Sequence, residues 1–185
     1  MDNQQFNRFY TGGMIMSKIR IGIAGYGNLG KSAELGIRQN NDMELAGIFT
    51  RRDPVSIHPL TEGVKVYHID KAENMVNDID VMILCGGSRS DLPEQGPYFA
   101  GLFNTVDGFD THKKIPEYYE AVNKEAKDNN HVCIISSGWD PGMFSLNRLY
   151  ANAILPEGKD YTFWGKGVSQ GHSDAIRRIE GVKNA

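Results

Sequence analysis

An α/β fold with a doubly wound parallel sheet is predicted by three features of this sequence. From Ile19 onward, short β-branched apolar runs alternate with longer amphipathic, charge-bearing stretches, the pattern of repeated βαβ units. A G-x-G-x-x-G motif stands where the first of those runs hands over to a helical pattern. The composition is that of a globular chain: 185 residues, 40% hydrophobic and 23% charged, with 21 Gly and 7 Pro, which excludes a disordered or collagen-like chain. A chain of this length buries about 70% of its unfolded surface, so a real core is expected.

The elements follow in order. Ile19 to Gly25 (IRIGIAG) is the first strand, followed by a helix from about Asn28 to Asn40 and a second strand from Met43 to Thr50. Further strands are expected at Val64 to Ile69, Asp80 to Cys85, Asn104 to Gly108 and Val132 to Ser137, at intervals that leave room for crossover helices. Between the last two, the stretch from Thr111 to Asn129 places Ile115, Tyr118, Tyr119, Val122 and Ala126 at near-helical spacing, with Lys and Glu opposite, which predicts a surface helix. After Gly142 the run FSLNRLYANAIL reads as another helix, and TFWGKG as a strand with nothing after it to pair with. The closing EGVKNA completes no element, so the segment is either the start of a longer unit or a small domain with a frayed tail. Residues 1–16 are polar and aperiodic and are expected to be a disordered leader.

Charge and cysteine usage narrow the functional classes. Twenty Lys plus Arg against 23 Asp plus Glu give a net charge of -3, so no global attraction to nucleic acid or anionic membrane is expected, and any anion site is local. The apolar runs are far shorter than the roughly 20 residues of a bilayer span, and the N-terminus lacks a basic segment followed by an apolar core, which predicts a cytoplasmic protein. Cys85 and Cys133 sit inside apolar runs, with no second Cys or His at metal-ligand spacing, so no metal is expected.

The motif Gly25-Tyr26-Gly27-Asn28-Leu29-Gly30 carries the main functional signal. The first Gly permits the tight turn, the second lets the backbone approach a pyrophosphate, and the third allows close helix packing, while the helix N-terminus offers unpaired N–H groups to the phosphates. With a strand before it and a helix after it, the motif predicts a Rossmann-type dinucleotide site over residues 17–137. About 20 residues on, where an NAD-binding chain places an acidic residue for the ribose 2′-OH, this chain has Thr50-Arg51-Arg52. Two guanidiniums and a hydroxyl suit a 2′-phosphate, so NADP is expected rather than NAD. Cys85-Gly86-Gly87-Ser88 ends the fourth strand at the edge where the rest of a dinucleotide lies, with Cys85 itself read as a buried apolar residue rather than a nucleophile.

Asp110 in VDGFDTH and Asp140 in SSGWDPG end the next two strands and would project into the same crevice. Paired carboxylates there suit a substrate ammonium or general-base work. Either could instead cap the helix that follows it, and the two roles are compatible. Trp139 and Trp164, both next to Gly, are either pocket walls or packing residues, and His172 is either a proton carrier or a solvated loop residue.

Taken in order, GYGNLG, FTRR, CGGS, VDGFDTHKKIP, SSGWDPGMFS and FWGKGVSQGHSDAIRRI closely resemble the meso-diaminopimelate dehydrogenase family, from about Lys18 to Ala185. The resemblance covers somewhat more than the N-terminal half of that family's chain. It implies an NADP-dependent oxidative deamination at the D-centre of meso-2,6-diaminopimelate, in lysine and cell-wall precursor biosynthesis, by a cytoplasmic homodimer. It further implies that residues 138–185 are the truncated start of a second, α+β substrate and dimerisation domain. Carried over residue by residue, Tyr26 to Leu29 line the pyrophosphate and Thr50 to Arg52 the 2′-phosphate. Cys85 to Ser88, Gly108, Phe109 and Asp110, and Ser137, Gly138, Trp139, Asp140 and Pro141 take the rest of the cofactor. Asp110 and Asp140 engage the D-centre amino group, with Trp139, Trp164, Gln170 and Gly171 bordering the substrate. The alternatives are a non-catalytic NADP-binding fragment and a related NADP-dependent amino- or imino-acid reductase.

Overall fold

Strand order and direction follow from where the apolar runs fall. In the computed structural model, which describes residues 17–159, 176 and 179–183, six strands form one sheet in the order β3-β2-β1-β4-β5-β6, and each adjacent pair is parallel. The strands are β1 (Ile19–Ala24), β2 (Met43–Thr50), β3 (Val66–His68), β4 (Val81–Leu84), β5 (Asn104–Asp107) and β6 (Cys133–Ile134). This order reverses between β1 and β4, so their carboxyl ends flank a crevice of the kind that takes dinucleotides.

Helices α1 (Asn28–Arg38), α2 (Leu92–Ala100), α3 (Ile115–Asn129) and α4 (Met143–Ile154) follow β1, β4, β5 and β6. Two apolar clusters mark the two faces of the sheet. Ile21, Ile23 and Ile48 pack with Ile37 of α1, whereas Met82, Leu84 and Phe49 pack with Phe99 of α2 and with Tyr118, Val122 and Ala126 of α3. Burial on both faces is why the strands read as continuous apolar runs. At the amino edge, Arg20 grips Asp80 through N–H donors to both carboxylate oxygens at 2.8–3.1 Å, tying β1 to the approach of β4. Residues up to Leu146 form one compact unit and those from Asn147 another. Among the described residues no helix is long and apolar enough to cross a membrane.

Several boundaries differ from expectation for local physical reasons. The connections on either side of β3 are short 3₁₀ turns, Pro54–Ser56 and Ile69–Met75, where full crossover helices would fit the spacing. Pro54 occupies the first turn of one of them, and Asp53 caps it by accepting from the Val55 N–H at 3.1 Å. Helix α2 fills the crossover interval expected between the fourth and fifth strands, with Pro93 in its first turn and Pro97 inside it. Helix α3 begins at Ile115, after a 3₁₀ turn over His112–Lys114, because Pro116 favours the first turn of a helix. Strand β6 stops at Ile134, where the chain leaves the sheet through Ser136 in the left-handed region, φ 56°. Residues 1–16 and the TFWGKG segment lie outside the described residues.

Candidate functional site

The loop after β1 shows why its glycines are there. Gly25 has φ 96°, donates its N–H to the Phe49 carbonyl at 2.8 Å, and would bring a β-carbon to 3.1 Å from the Cys85 backbone. A β-carbon on Gly30 would collide with the Gly25 carbonyl, so α1 can approach the turn only without a side chain at that position. Gly27 is different, since nothing lies within 4 Å of where its side chain would be. It also caps α1 with no side-chain hydrogen bond, and the first turn carries no acidic residue. An open backbone surface at a helix N-terminus fits a pyrophosphate.

Behind this loop lies a buried network. Glu34, wholly buried on the inner face of α1, accepts the Tyr26 hydroxyl and the Thr61 N–H, the latter at 2.6 Å. Burial by itself would raise the Glu34 carboxyl, but these hydrogen bonds outweigh it and hold the group below its ordinary range. Burial and the bond to Glu34 push the Tyr26 hydroxyl up to about 12. The Tyr26 ring therefore faces the protein, and it offers a ligand only its main chain. Its carbonyl accepts from Arg52 Nη2 at 2.5 Å, joining the end of β2 to the loop after β1. Leu29, by contrast, is exposed.

The arginine pair divides its contacts. Thr50 is buried and its Oγ1 accepts the Arg52 N–H at 3.1 Å, so the guanidiniums are the main polar groups this strand end presents. Arg51, largely exposed, reaches Asp91 Oδ1 at 2.8 Å, while Asp91 Oδ2 accepts the Gly87 N–H at 2.8 Å. Gly86 has no room for a β-carbon, which would stand 2.7 Å from that of Asp91. The cation from β2 and the loop after β4 are thus linked over the β1 turn. Burial pushes the Cys85 thiol up to about 12, which removes it as a nucleophile at neutral pH.

At the other end of the crevice the loops after β4, β5 and β6 are stitched together. Ser88 Oγ accepts the Asp110 N–H at 2.9 Å and donates to the Gly108 carbonyl at 3.4 Å. Asp110 is exposed, and neither the 3₁₀ turn after it nor α3 carries a side-chain cap, so the capping reading of Asp110 finds no support. Phe109 is buried, its ring stacked 4.0 Å from that of Tyr118, so its side chain cannot line the cofactor and only its main chain faces the loop. Asp140 Oδ1 accepts from Ser145 Oγ at 3.3 Å, linking it to the first turn of α4. Trp139 is 70% exposed and leans on Phe144 at 5.4 Å, an edge-of-site ring rather than a core one. The turn closes through Gly138, which donates its N–H to the Pro141 carbonyl at 3.1 Å, and Ser137 donates to the Asp107 carbonyl at 2.8 Å. Trp164, Gln170, Gly171 and His172 lie outside the described residues.

Three residues that sequence reasoning missed hold these loops in place: Glu34, Asp107 and Tyr118. Tyr118 is marked by periodicity only as inward-facing, Glu34 and Asp107 read as ordinary polar residues of a helix and a strand end, and nothing local signals the partners of any of the three. A cleft of about 710 Å³ lined by Lys18, Arg38, Glu44 and Glu62 lies by the amino ends of β1 and β2 and includes none of the candidate residues. Among the described residues no cluster of His, Cys, Asp and Glu is placed to hold a metal.

A family model described as the diaminopimelic acid dehydrogenase C-terminal domain matches residues 138–185. The chain is 71% identical over 174 residues to a meso-diaminopimelate D-dehydrogenase of Acetivibrio thermocellus, covering 94% of this chain and 52% of that protein. The diaminopimelate dehydrogenase of Corynebacterium glutamicum, solved in complex with diaminopimelate, superposes with a TM-score of 0.79 at 47% identity, over 91% of this chain and 51% of that one. An engineered D-amino acid dehydrogenase bound to NADP+ gives a TM-score of 0.77 at 46% identity, over 91% of this chain and 51% of that one. The chain spans about half the length of the curated relatives it matches. Over the residues it contains, the chain belongs to the meso-diaminopimelate D-dehydrogenase family.

Proposed function

We propose that these residues form the NADP-binding part, and the beginning of the substrate part, of an oxidoreductase that deaminates meso-2,6-diaminopimelate at its D-centre. The products are L-2-amino-6-oxopimelate, ammonia and NADPH, and the reaction is reversible. The observation that carries the reading is the pairing, across one sheet edge, of a Gly-lined helix N-terminus and two arginines with two carboxylates on the loops after β5 and β6. The activity of the relatives and the NADP+ and diaminopimelate bound in related structures support it. Residues 17–137 are assigned to dinucleotide binding and 138–185 to the start of the substrate and dimerisation domain. A cytoplasmic homodimer acting in lysine and cell-wall precursor biosynthesis is the setting the family resemblance supports.

The residues fit the cofactor. Gly25 to Gly30 would hold the pyrophosphate on main-chain N–H groups, and Arg51 and Arg52 the 2′-phosphate. Gly86 to Ser88, the main chain of Gly108 to Asp110, and Ser137 to Pro141 would border the nicotinamide end. Bound NADP supplies the two-electron acceptor for the substrate's D-carbon. Asp110 and Asp140 hold the D-centre ammonium, take up its proton as the nitrogen becomes an iminium, and orient the water that adds to that carbon. Trp139 screens the site edge, and Trp164, Gln170 and Gly171 complete the substrate side in this reading.

Titration of the chain with NADPH and NADH, followed by nicotinamide fluorescence, tests the cofactor half directly. NADPH is expected to bind more tightly than NADH by about ten- to a hundredfold, the effect of one or two charge-assisted hydrogen bonds. Replacing Arg51 and Arg52 together by Ala should erase most of that preference without changing NADH affinity. An unchanged preference in the double variant would overturn the assignment of the arginines.

A further inference from the structure

Asp107 has no place among the residues expected to touch cofactor or substrate, yet it stands where both carboxylate-bearing loops leave the sheet. It ends β5 and is 2% exposed. Its Oδ1 accepts the N–H of Phe109 at 2.9 Å and the N–H of Ser136 at 3.1 Å. Its Oδ2 accepts the Tyr118 hydroxyl at 2.6 Å, and its own carbonyl accepts the Ser137 N–H at 2.8 Å. Phe109 precedes Asp110 in the loop after β5, and Ser136 and Ser137 lie in the loop that leads to Asp140. One carboxylate therefore bonds both loops.

The surroundings are shaped around that arrangement. Ser136 adopts φ 56°, a conformation rare outside glycine, and thereby aims its N–H at Asp107 instead of extending β6. Tyr118 reaches Asp107 from α3 across α2 at Gly96, where a β-carbon would collide with the tyrosine hydroxyl. Phe109 then stacks on the same ring, so the loop after β5 is held by a hydrogen bond and by packing at once. A buried carboxylate with three protein donors is satisfied, and two of those donors, the Phe109 N–H and the Tyr118 hydroxyl, are themselves buried.

We infer that Asp107, backed by Tyr118, is a positioning residue that fixes the loops Gly108–Asp110 and Ser136–Pro141 against each other and so shapes the nicotinamide end of the dinucleotide site. The inference rests on the NADP reading above. It concerns only that end, because the adenosine end is held separately through Glu34, Tyr26 and Arg52.

Two probes separate the ends: NADPH, and 2′,5′-ADP, which carries the 2′-phosphate but no nicotinamide. In the chain as it stands, Asp107→Ala should weaken NADPH by about tenfold or more while leaving 2′,5′-ADP within about twofold. Asp107→Asn keeps an oxygen for both N–H groups and offers its amide to the Tyr118 oxygen, so NADPH affinity should return to within about threefold of the parent. Tyr118→Phe, a milder change, should fall between. Equal weakening of both probes by Asp107→Ala, or an unchanged NADPH affinity, overturns the inference. Hydrogen exchange on the same variants decides the point even if the parent binds neither probe, which would sink the NADP reading instead. Protection lost by about tenfold in 108–110 and 135–140, with β1 and β2 unaffected, supports the clamp, and uniform or absent loss overturns it.

Discussion

The two ends of the crevice achieve order by different means. At the end by β1 and β2, six consecutive residues from Gly25 to Gly30 make the turn, and what it requires is backbone freedom at Gly25 and the absence of a side chain at Gly25 and Gly30. At the far end, residues from three separate strand ends must be brought together, and the ties are side-chain acceptors for main-chain N–H groups, Ser88 for Asp110 and Asp107 for Phe109 and Ser136. The first is a property of a short segment, whereas the second exists only once β4, β5 and β6 lie side by side.

The sharpest way to break the comparison is to add a methyl group to two glycines of one loop. Gly30→Ala should destabilise the protein by about 2–3 kcal/mol, since its β-carbon would collide with the Gly25 carbonyl and neither backbone can yield cheaply. Gly27→Ala, with open space on that side, should leave the thermal midpoint within about 2 °C and still weaken NADPH by about tenfold, because the methyl stands where the pyrophosphate must come. Thermal unfolding and NADPH titration on both variants measure the two effects. Equal behaviour of the two would mean that the loop is packing alone.

The next effect in size tests whether the adenosine end has a buried tie of its own. Glu34→Gln turns two charge-assisted bonds into neutral ones and should lower stability by about 1–2 kcal/mol at neutral pH. Because the Glu34 carboxyl is held below its ordinary 4.5 in the folded state, its contribution is complete above that pH and is lost as the pH falls through the folded value. Tyr26 works in the opposite sense: raised from 10.0 to about 12, it contributes fully below pH 10 and loses that contribution as the pH climbs toward 12. Urea midpoints against pH should show the parent declining more steeply than Glu34→Gln below pH 4.5, and more steeply than Tyr26→Phe above pH 10. Parallel curves for parent and variants would remove the network from the account.

How much of this was legible in the sequence follows the same division. The strand positions, α1 and the glycine turn announce themselves, because periodicity and glycine spacing are local and IRIGIAGYGNLG contains both, whereas the order of the strands in the sheet does not. Thr50 to Arg52 was legible by its distance from the motif, though the link from Arg51 to Asp91 was not. Asp107 was invisible for a deeper reason: in NTVDG it looks like any polar residue closing a strand, and its partners lie 2, 11 and 29 residues away on three different elements. Glu34 reads as one of several charges on a surface helix, and only the fold turns it inward.

The smallest expected effect concerns the carboxylates themselves and sharpens the comparison most finely. If the loops after β5 and β6 are positioned by Asp107 and Ser88, then the side-chain charges of Asp110 and Asp140 are not what holds those loops, and converting each to Asn should leave NADPH affinity within about threefold of the parent. Asp110→Asn tests this cleanly, since the Asp110 contact with Ser88 uses its main-chain N–H, which the substitution retains. Asp140→Asn also alters the acceptor for Ser145 Oγ, so its circular dichroism should be followed alongside the titration. Unchanged cofactor binding and unchanged helix content, together with a sharp loss of deamination when the same substitution is made in a full-length relative, would place the carboxylates on the reacting amine. A parallel loss of NADPH binding and helix content in Asp140→Asn would instead make that residue the cap of α4, and leave Asp110 alone to hold the ammonium.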